Sequence, residues 1–190
     1  MSRDVSQGRS RVRRLLPVVA TVTALTALFL FGLLRGSPDR DIPSNFLGRQ
    51  VPNFDLPVYE RYMAEFGPRL TLDEVRGRPM VINFWASWCG PCYEEAPHLQ
   101  RAFDRYGDEV LFIGIQTQDR DARAAGRAFI ERFDLTFPNV FDGDSRTSIA
   151  YGLFGVPETF FVHADGTLQF KYAGPVTETI LSEQIGALRR

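Results

Sequence analysis

The chain has 190 residues, with 22 basic and 23 acidic side chains and a net charge of −1. Residues 1–14 hold Arg3, Arg9, Arg11, Arg13 and Arg14 against Asp4 alone, so the remainder carries −5 and offers no electrostatic footing for nucleic acid. Cys89 and Cys92 are the only cysteines, which leaves none for a separate structural disulfide.

Residues 15–34 contain no charged side chain. Twenty helical residues rise roughly 30 Å, the thickness of a bilayer's hydrocarbon core, so one transmembrane helix is expected there. Pro17 falls in its first turn, where a missing N–H costs little. A cleaved signal has a shorter apolar region, roughly 7–15 residues, and a small-x-small cleavage site. This run ends Gly32-Leu33-Leu34-Arg35-Gly36 with no Ala-x-Ala behind it, so it reads as an uncleaved signal-anchor. The arginines keep residues 1–14 cytoplasmic and place the chain beyond the helix on the extracytoplasmic (periplasmic) side. Residues 35–47, rich in Pro, Ser and charge, read as a tether. Residues 48–190 suit one domain.

Within that domain, residues 51–56 are extended between Pro52 and Pro57. Tyr59, Tyr62, Met63 and Phe66 have helical spacing, and Gly67-Pro68 stops them. Thr71-Leu72-Asp73-Glu74 has the form of a capped short helix. Residues 79–85 are a buried strand. Residues 91–106 are a helix with Cys92, Ala96, Leu99 and Phe103 on one stripe. Val110–Ile115 is a second buried strand, Asp121–Phe133 a helix, Pro138–Phe141 a short strand and 144–151 a short helix. Thr159–Val162 and Leu168–Tyr172 flank the turn Ala164-Asp165-Gly166, and Val176–Leu188 closes the chain as a helix. The order implies an α/β fold, a mixed sheet with helices on both faces.

Trp88-Cys89-Gly90-Pro91-Cys92 lies at a strand-to-helix junction. Two thiols two residues apart in that setting can close and reopen a disulfide, which is a redox site. A loop this short removes little chain entropy, so a purely structural bridge is a weak reading.

Phe84-Trp85-Ala86-Ser87-Trp88-Cys89-Gly90-Pro91-Cys92, together with Val156-Pro157, resembles the thioredoxin fold. Val51-Pro52-Asn53-Phe54, Gly77–Trp85 and Gly155-Val156-Pro157-Glu158-Thr159-Phe160 are similar to its membrane-anchored branch, the TlpA/ResA/CcmG (DsbE) disulfide reductases. The likeness spans roughly residues 48–185. It implies a protein-disulfide reductase whose only redox group is the Cys89–Cys92 pair, with no metal and no bound cofactor. It also implies electrons from a transmembrane thiol-disulfide carrier and delivery to oxidised protein thiols, apocytochrome c in cytochrome c maturation foremost.

Cys89 falls just before the helix, where free N–H groups and the helix dipole favour a thiolate. Cys92, one turn inside, is the resolving thiol. Gly90 and Pro91 help to set the potential, and Pro91 suits a helix start. Glu95 shares the stripe of Cys92 and Leu99, and burial would raise its pKa and let it exchange protons with Cys92. The resembled reductases carry a glutamate there. Thioredoxins proper have an aspartate where this chain has Asn83, which cannot titrate, so Glu95 or Glu158 is the candidate proton acceptor. By resemblance, Val156-Pro157 forms a cis-proline loop whose Val156 backbone pairs with substrate. Glu158 then lies in an acidic groove, and Trp88 flanks the cleft.

A disulfide oxidase or isomerase for secreted proteins is the alternative within the same chemistry. A Sco-type metallochaperone with His163 spaces its cysteines by three residues, not two. A peroxiredoxin needs Thr or Ser three residues before its cysteine, and Ala86 is there.

Overall fold

In the computed structural model the described residues are 5–34 and 47–189. Helix α1, Val5–Leu34, forms a unit of its own, and the rest belongs to a second unit. α1 begins ten residues before the expected span. Among the described residues no helix is long and apolar enough to cross a membrane. The span 15–34 runs past the part of α1 whose side chains are described, residues 17–31. Residues 1–4 of the expected basic segment and 35–46 of the expected tether lie outside the described residues.

The second unit is built on a five-stranded sheet. Its strands are β3 (Met80–Trp85), β4 (Leu111–Gln116), β5 (Asn139–Phe141), β6 (Glu158–Val162) and β7 (Leu168–Ala173), in the order β5-β4-β3-β6-β7. β3, β4 and β5 are parallel, while β6 runs antiparallel to both β3 and β7. β3 is buried at every residue because it has neighbours on both edges and cover on both faces. Helix α4 (Gly90–Tyr106) and helix α5 (Arg123–Arg132) cover the face that carries Asn83 and Trp85. Trp85 stacks on Phe129 with ring centroids 4.3 Å apart. On the other face Tyr151, just after helix α6 (Arg146–Ala150), meets Phe84 and Phe160. Helix α7 (Glu178–Leu188) lies beside α4. This is the thioredoxin arrangement.

The entry segment differs from its expected form. Regular pairing is confined to β1 (Asp55–Pro57), and its partner is β2 (Arg69–Thr71), a strand with no period of its own to betray it. Between them lie a 3-10 turn, Glu60–Tyr62, and helix α2, Met63–Phe66. The earlier residues are held against the β6–β7 hairpin instead, Gly48 N–H donating to Leu168 and Val51 N–H to Gly166. Helix α3, Leu72–Val75, has the capping box read from its sequence: Glu74 N–H donates to Thr71 Oγ1 and Thr71 N–H to Glu74 Oε2.

Candidate redox site

β3 delivers its last residue, Trp85, to one end of the sheet, and α4 begins after four intervening residues. Cys89 is its N-cap, with Pro91 in the first turn. Cys89 and Cys92 are joined by a disulfide with Cα atoms 5.3 Å apart, and both are buried. The amide of Cys92 donates to Cys89 Sγ at 3.2 Å. A thiolate at this sulfur therefore meets an N–H donor and the positive end of a 17-residue helix.

The loop before Cys89 is tied from outside its own element. Ser87 N–H donates to Asp119 Oδ2 at 2.6 Å, and the Gln116 side-chain amide donates to the same oxygen at 2.6 Å. Gln116 in turn accepts from the Tyr59 hydroxyl. Trp88 Nε1 donates to the Gln118 carbonyl at 3.0 Å, which holds an indole that is 62% exposed. Asp119 and Gln116 were not singled out from sequence. Their only signal is a polar run, Gln116-Thr117-Gln118-Asp119, that begins on the last residue of a wholly buried strand.

Glu95 lies one turn beyond Cys92 and is buried. Its Oε1 accepts from Asn83 Nδ2 at 2.8 Å and its Oε2 from Val176 N–H at 2.9 Å. Asn83 also donates to Thr159 Oγ1 at 3.0 Å, its direct partner across β3 and β6. Both donors to Glu95 are neutral. Burial pushes its carboxyl up to about 8, against the smaller opposing pull of the Val176 and Asn83 hydrogen bonds. Asn83, Cys92 and Glu95 border one internal gap, which has no room for a water molecule. A carboxyl that changes charge near neutral pH beside a buried thiol can exchange protons with it.

Val156–Pro157 is a cis peptide bond. Because Glu158 pairs with Phe84 and β6 runs antiparallel to β3, Pro157 stands at the same end of the sheet as the β3–α4 junction. Val156 is half-buried. Glu158 departs from its expected place in an acidic groove. It is buried, its Oε2 lies 2.7 Å from Lys171 Nζ, and its Oε1 accepts from Phe154 N–H at 3.0 Å. The reason is strand alternation: Thr159 shares a face with Asn83 and Glu95, so Glu158 projects from the opposite one. The fold thus brings Trp88, Cys89, Gly90, Pro91, Cys92 and Glu95 to the head of α4, sets Val156 and Pro157 at the same sheet end, and turns Glu158 away.

The model of the AhpC/TSA family matches residues 47–171. A thiol:disulfide interchange protein DsbE of Allochromatium vinosum is 33% identical over 93% of this chain and 92% of its own length. The thiol-disulfide oxidoreductase ResA of Bacillus thuringiensis is 27% identical over 73% of this chain and 76% of its own. Among solved structures, a secreted Mycobacterium tuberculosis disulfide oxidoreductase homologous to E. coli DsbE superposes with a TM-score of 0.61 at 28% identity. It covers 70% of this chain and 95% of its own.

Proposed function

We propose, from the premise that this chain belongs to the AhpC/TSA family and within it to the DsbE/ResA-like thiol-disulfide oxidoreductases, that it reduces protein disulfides outside the cytoplasm. The observation that carries this reading is the pairing of a helix-capping disulfide, Cys89–Cys92, with a buried carboxyl, Glu95, that has only neutral hydrogen-bond donors.

In the dithiol form the Cys89 thiolate attacks one sulfur of a substrate disulfide. A Cys89–substrate disulfide forms, the substrate S–S bond breaks, and its first sulfur leaves as thiolate and takes a proton. Cys92 gives its proton to the Glu95 carboxylate, and the new thiolate attacks Cys89 Sγ. The second substrate thiolate leaves and the Cys89–Cys92 bond closes. Two electrons have passed from the enzyme dithiol to the substrate. Burial holds the Glu95 carboxyl up at about 8, so it is partly ionised near neutral pH and can serve as the acceptor of the Cys92 proton.

The dithiol is the whole of the redox equipment in this reading, with no added cofactor and no metal. The charge-free run 15–34 behind five arginines supports a single-pass anchor in the cytoplasmic membrane, with the catalytic domain on the periplasmic side. The resemblance of Gly155–Phe160 to the cytochrome-maturation reductases supports apocytochrome c as substrate and a transmembrane thiol-disulfide carrier as electron donor. The test is the reduction potential of Cys89–Cys92 in the full chain. A value near −270 mV, as for thioredoxin, or modestly above it marks a reductant, whereas one near −120 mV marks a disulfide donor and removes the maturation role.

A further inference from the structure

Lys171 is the only lysine in a chain that has 21 arginines, and it is buried. Its ammonium lies 2.7 Å from Glu158 Oε2, and neither side chain is more than 3% exposed. It also donates to the Gly152 carbonyl at 3.1 Å. The rings of Phe154 and Phe160 flank it, at 4.9 and 5.2 Å from their centroids. The other Glu158 oxygen holds the amide of Phe154. Two side chains therefore grip both Gly152 and Phe154, the backbone that leads into Val156–Pro157. The site suits lysine rather than arginine: a compact point charge fits between two rings, a carboxylate and one carbonyl.

Register places this cluster away from the thiols. Lys171 pairs with Phe160, and Glu158 with Phe84, on the face where Tyr151 packs. Glu95, Asn83 and Thr159 occupy the other face. The sheet itself separates the two buried glutamates. One has a cation beside it and one does not.

We infer that Lys171 is a positioning residue for disulfide exchange: paired with Glu158 it pins the 152–157 segment, so that the Val156 backbone is fixed for the substrate strand, and Glu95, on the thiol face of the sheet, is left as the buried proton acceptor. This rests on the reductase reading of the Cys89–Cys92 site. It withdraws Glu158, one of two candidates from the sequence, from the proton-transfer role. Among the described residues Lys171 from β7 is the charged group in contact with Glu158; the Tyr151 hydroxyl also stands on that face, with the Arg76 guanidinium in electrostatic reach of it. Burial holds that hydroxyl protonated far above neutral pH.

The test uses the full chain in four forms: wild type, Lys171→Met, Glu158→Gln and the double variant. Two rates are compared, reduction of a peptide disulfide by the dithiol enzyme and alkylation of Cys89 by iodoacetamide. Lys171→Met is expected to slow the first about tenfold through misplacement of the loop and to leave the second within about twofold. The double variant is expected to keep most of the loss, because the Lys171–Gly152 contact stays broken; full recovery would assign the loss to a stranded buried carboxylate and overturn the inference. Equal losses in both rates, or no loss in either, would overturn the inference. Wild type labelled with 13C-lysine supplies a readout that no failure of a variant to fold can remove, since one side-chain ammonium accounts for the whole signal. Its side-chain signal is expected to be displaced by the rings of Phe154 and Phe160, and a shift equal to that of free lysine would mean that the 152–157 segment is not pinned there. The reduction potential of wild type decides the reductase reading separately from these ratios.

Discussion

Asn83 Nδ2 stands 2.8 Å from Glu95 Oε1 and 3.0 Å from Thr159 Oγ1, bridging β3, β6 and α4 with one amide. It fixes the Glu95 carboxyl one turn beyond Cys92 on α4 without neutralising it, since a neutral donor offsets only part of the cost of burial. The carboxyl is thereby oriented and left free to titrate.

Kinetics of Glu95→Gln should reflect that arrangement. At pH 7 the amide cannot take the Cys92 proton, and resolution of the mixed disulfide should slow by about tenfold to a hundredfold, within the usual span for a lost general base. The deficit should close at high pH, where hydroxide replaces the carboxylate as proton acceptor. Stopped-flow measurement of resolution from pH 6 to 10 reads this directly. A ratio of wild type to variant that stays constant across the range would sink the role.

Stability of the oxidised protein should carry the same signature. Unfolded, the Glu95 carboxyl keeps its proton only to about 4.5; folded, it keeps it to about 8. Its contribution is therefore complete below about pH 4.5. It is lost as pH rises through the window to about 8, by at most about 1.4 kcal/mol per pH unit. Glu95→Gln has no such slope, although it leaves one buried donor short of an acceptor. The stability advantage of wild type over the variant should therefore shrink steadily from pH 5 to pH 8 in denaturant titrations. Parallel curves would show that the carboxyl does not hold its proton in the fold.

Much of this site was legible in the sequence because its parts are local. The Cys89–Cys92 spacing, the inward stripe shared by Cys92 and Glu95, and the Thr71–Glu74 capping box depend on residues three or four apart, which a helix brings together wherever it is. The parts that were not legible depend on register. Glu158 was assigned to the groove because it follows Pro157, but pairing with Phe84 sets the face on which it projects. Lys171 drew no notice as a site residue because its partners, Glu158 and Gly152, are 13 and 19 positions away and reach it only across the β6–β7 pairing. Strand β2 went unseen for a similar reason. Three residues cannot display a period, and β1 alone defines them as a strand.

Asp119 supplies a prediction about the loop ahead of the nucleophile. One of its oxygens accepts both the Ser87 amide and the Gln116 side chain, each at 2.6 Å. Asp119→Ala leaves the Ser87 amide without its acceptor and the Gln116 side-chain amide with the Ala122 carbonyl alone, at a site that is nearly closed to water. The expected loss is about 1–3 kcal/mol for each group that water fails to reach. The Ser87 amide, freed of its acceptor, should exchange with solvent faster than in wild type by a factor larger than global destabilisation explains. Hydrogen exchange at Ser87 set against a distant core amide on β4 makes the comparison. An equal change at both would reduce Asp119 to a general contributor to stability.

Cysteine variants separate the two thiols by role and identify the substrate. Cys89 caps α4 ahead of its first residue and its Sγ accepts the Cys92 amide, whereas Cys92 lies inside the first turn. A substrate sulfur therefore meets Cys89 first, and only an internal attack by Cys92 can release it. Cys92→Ser removes that attack, because a serine hydroxyl does not ionise in this pH range, and the Cys89–substrate disulfide should accumulate to one equivalent. Cys89→Ser should form no adduct at all. An oxidised peptide bearing the Cys-x-x-Cys-His haem-attachment motif is the substrate to offer, with a peptide of shuffled sequence and the same two cysteines as comparison. Faster adduct formation with the haem motif on non-reducing gels would support the cytochrome-maturation assignment. Equal rates with both peptides would leave a reductase of broad range and remove the case for that substrate.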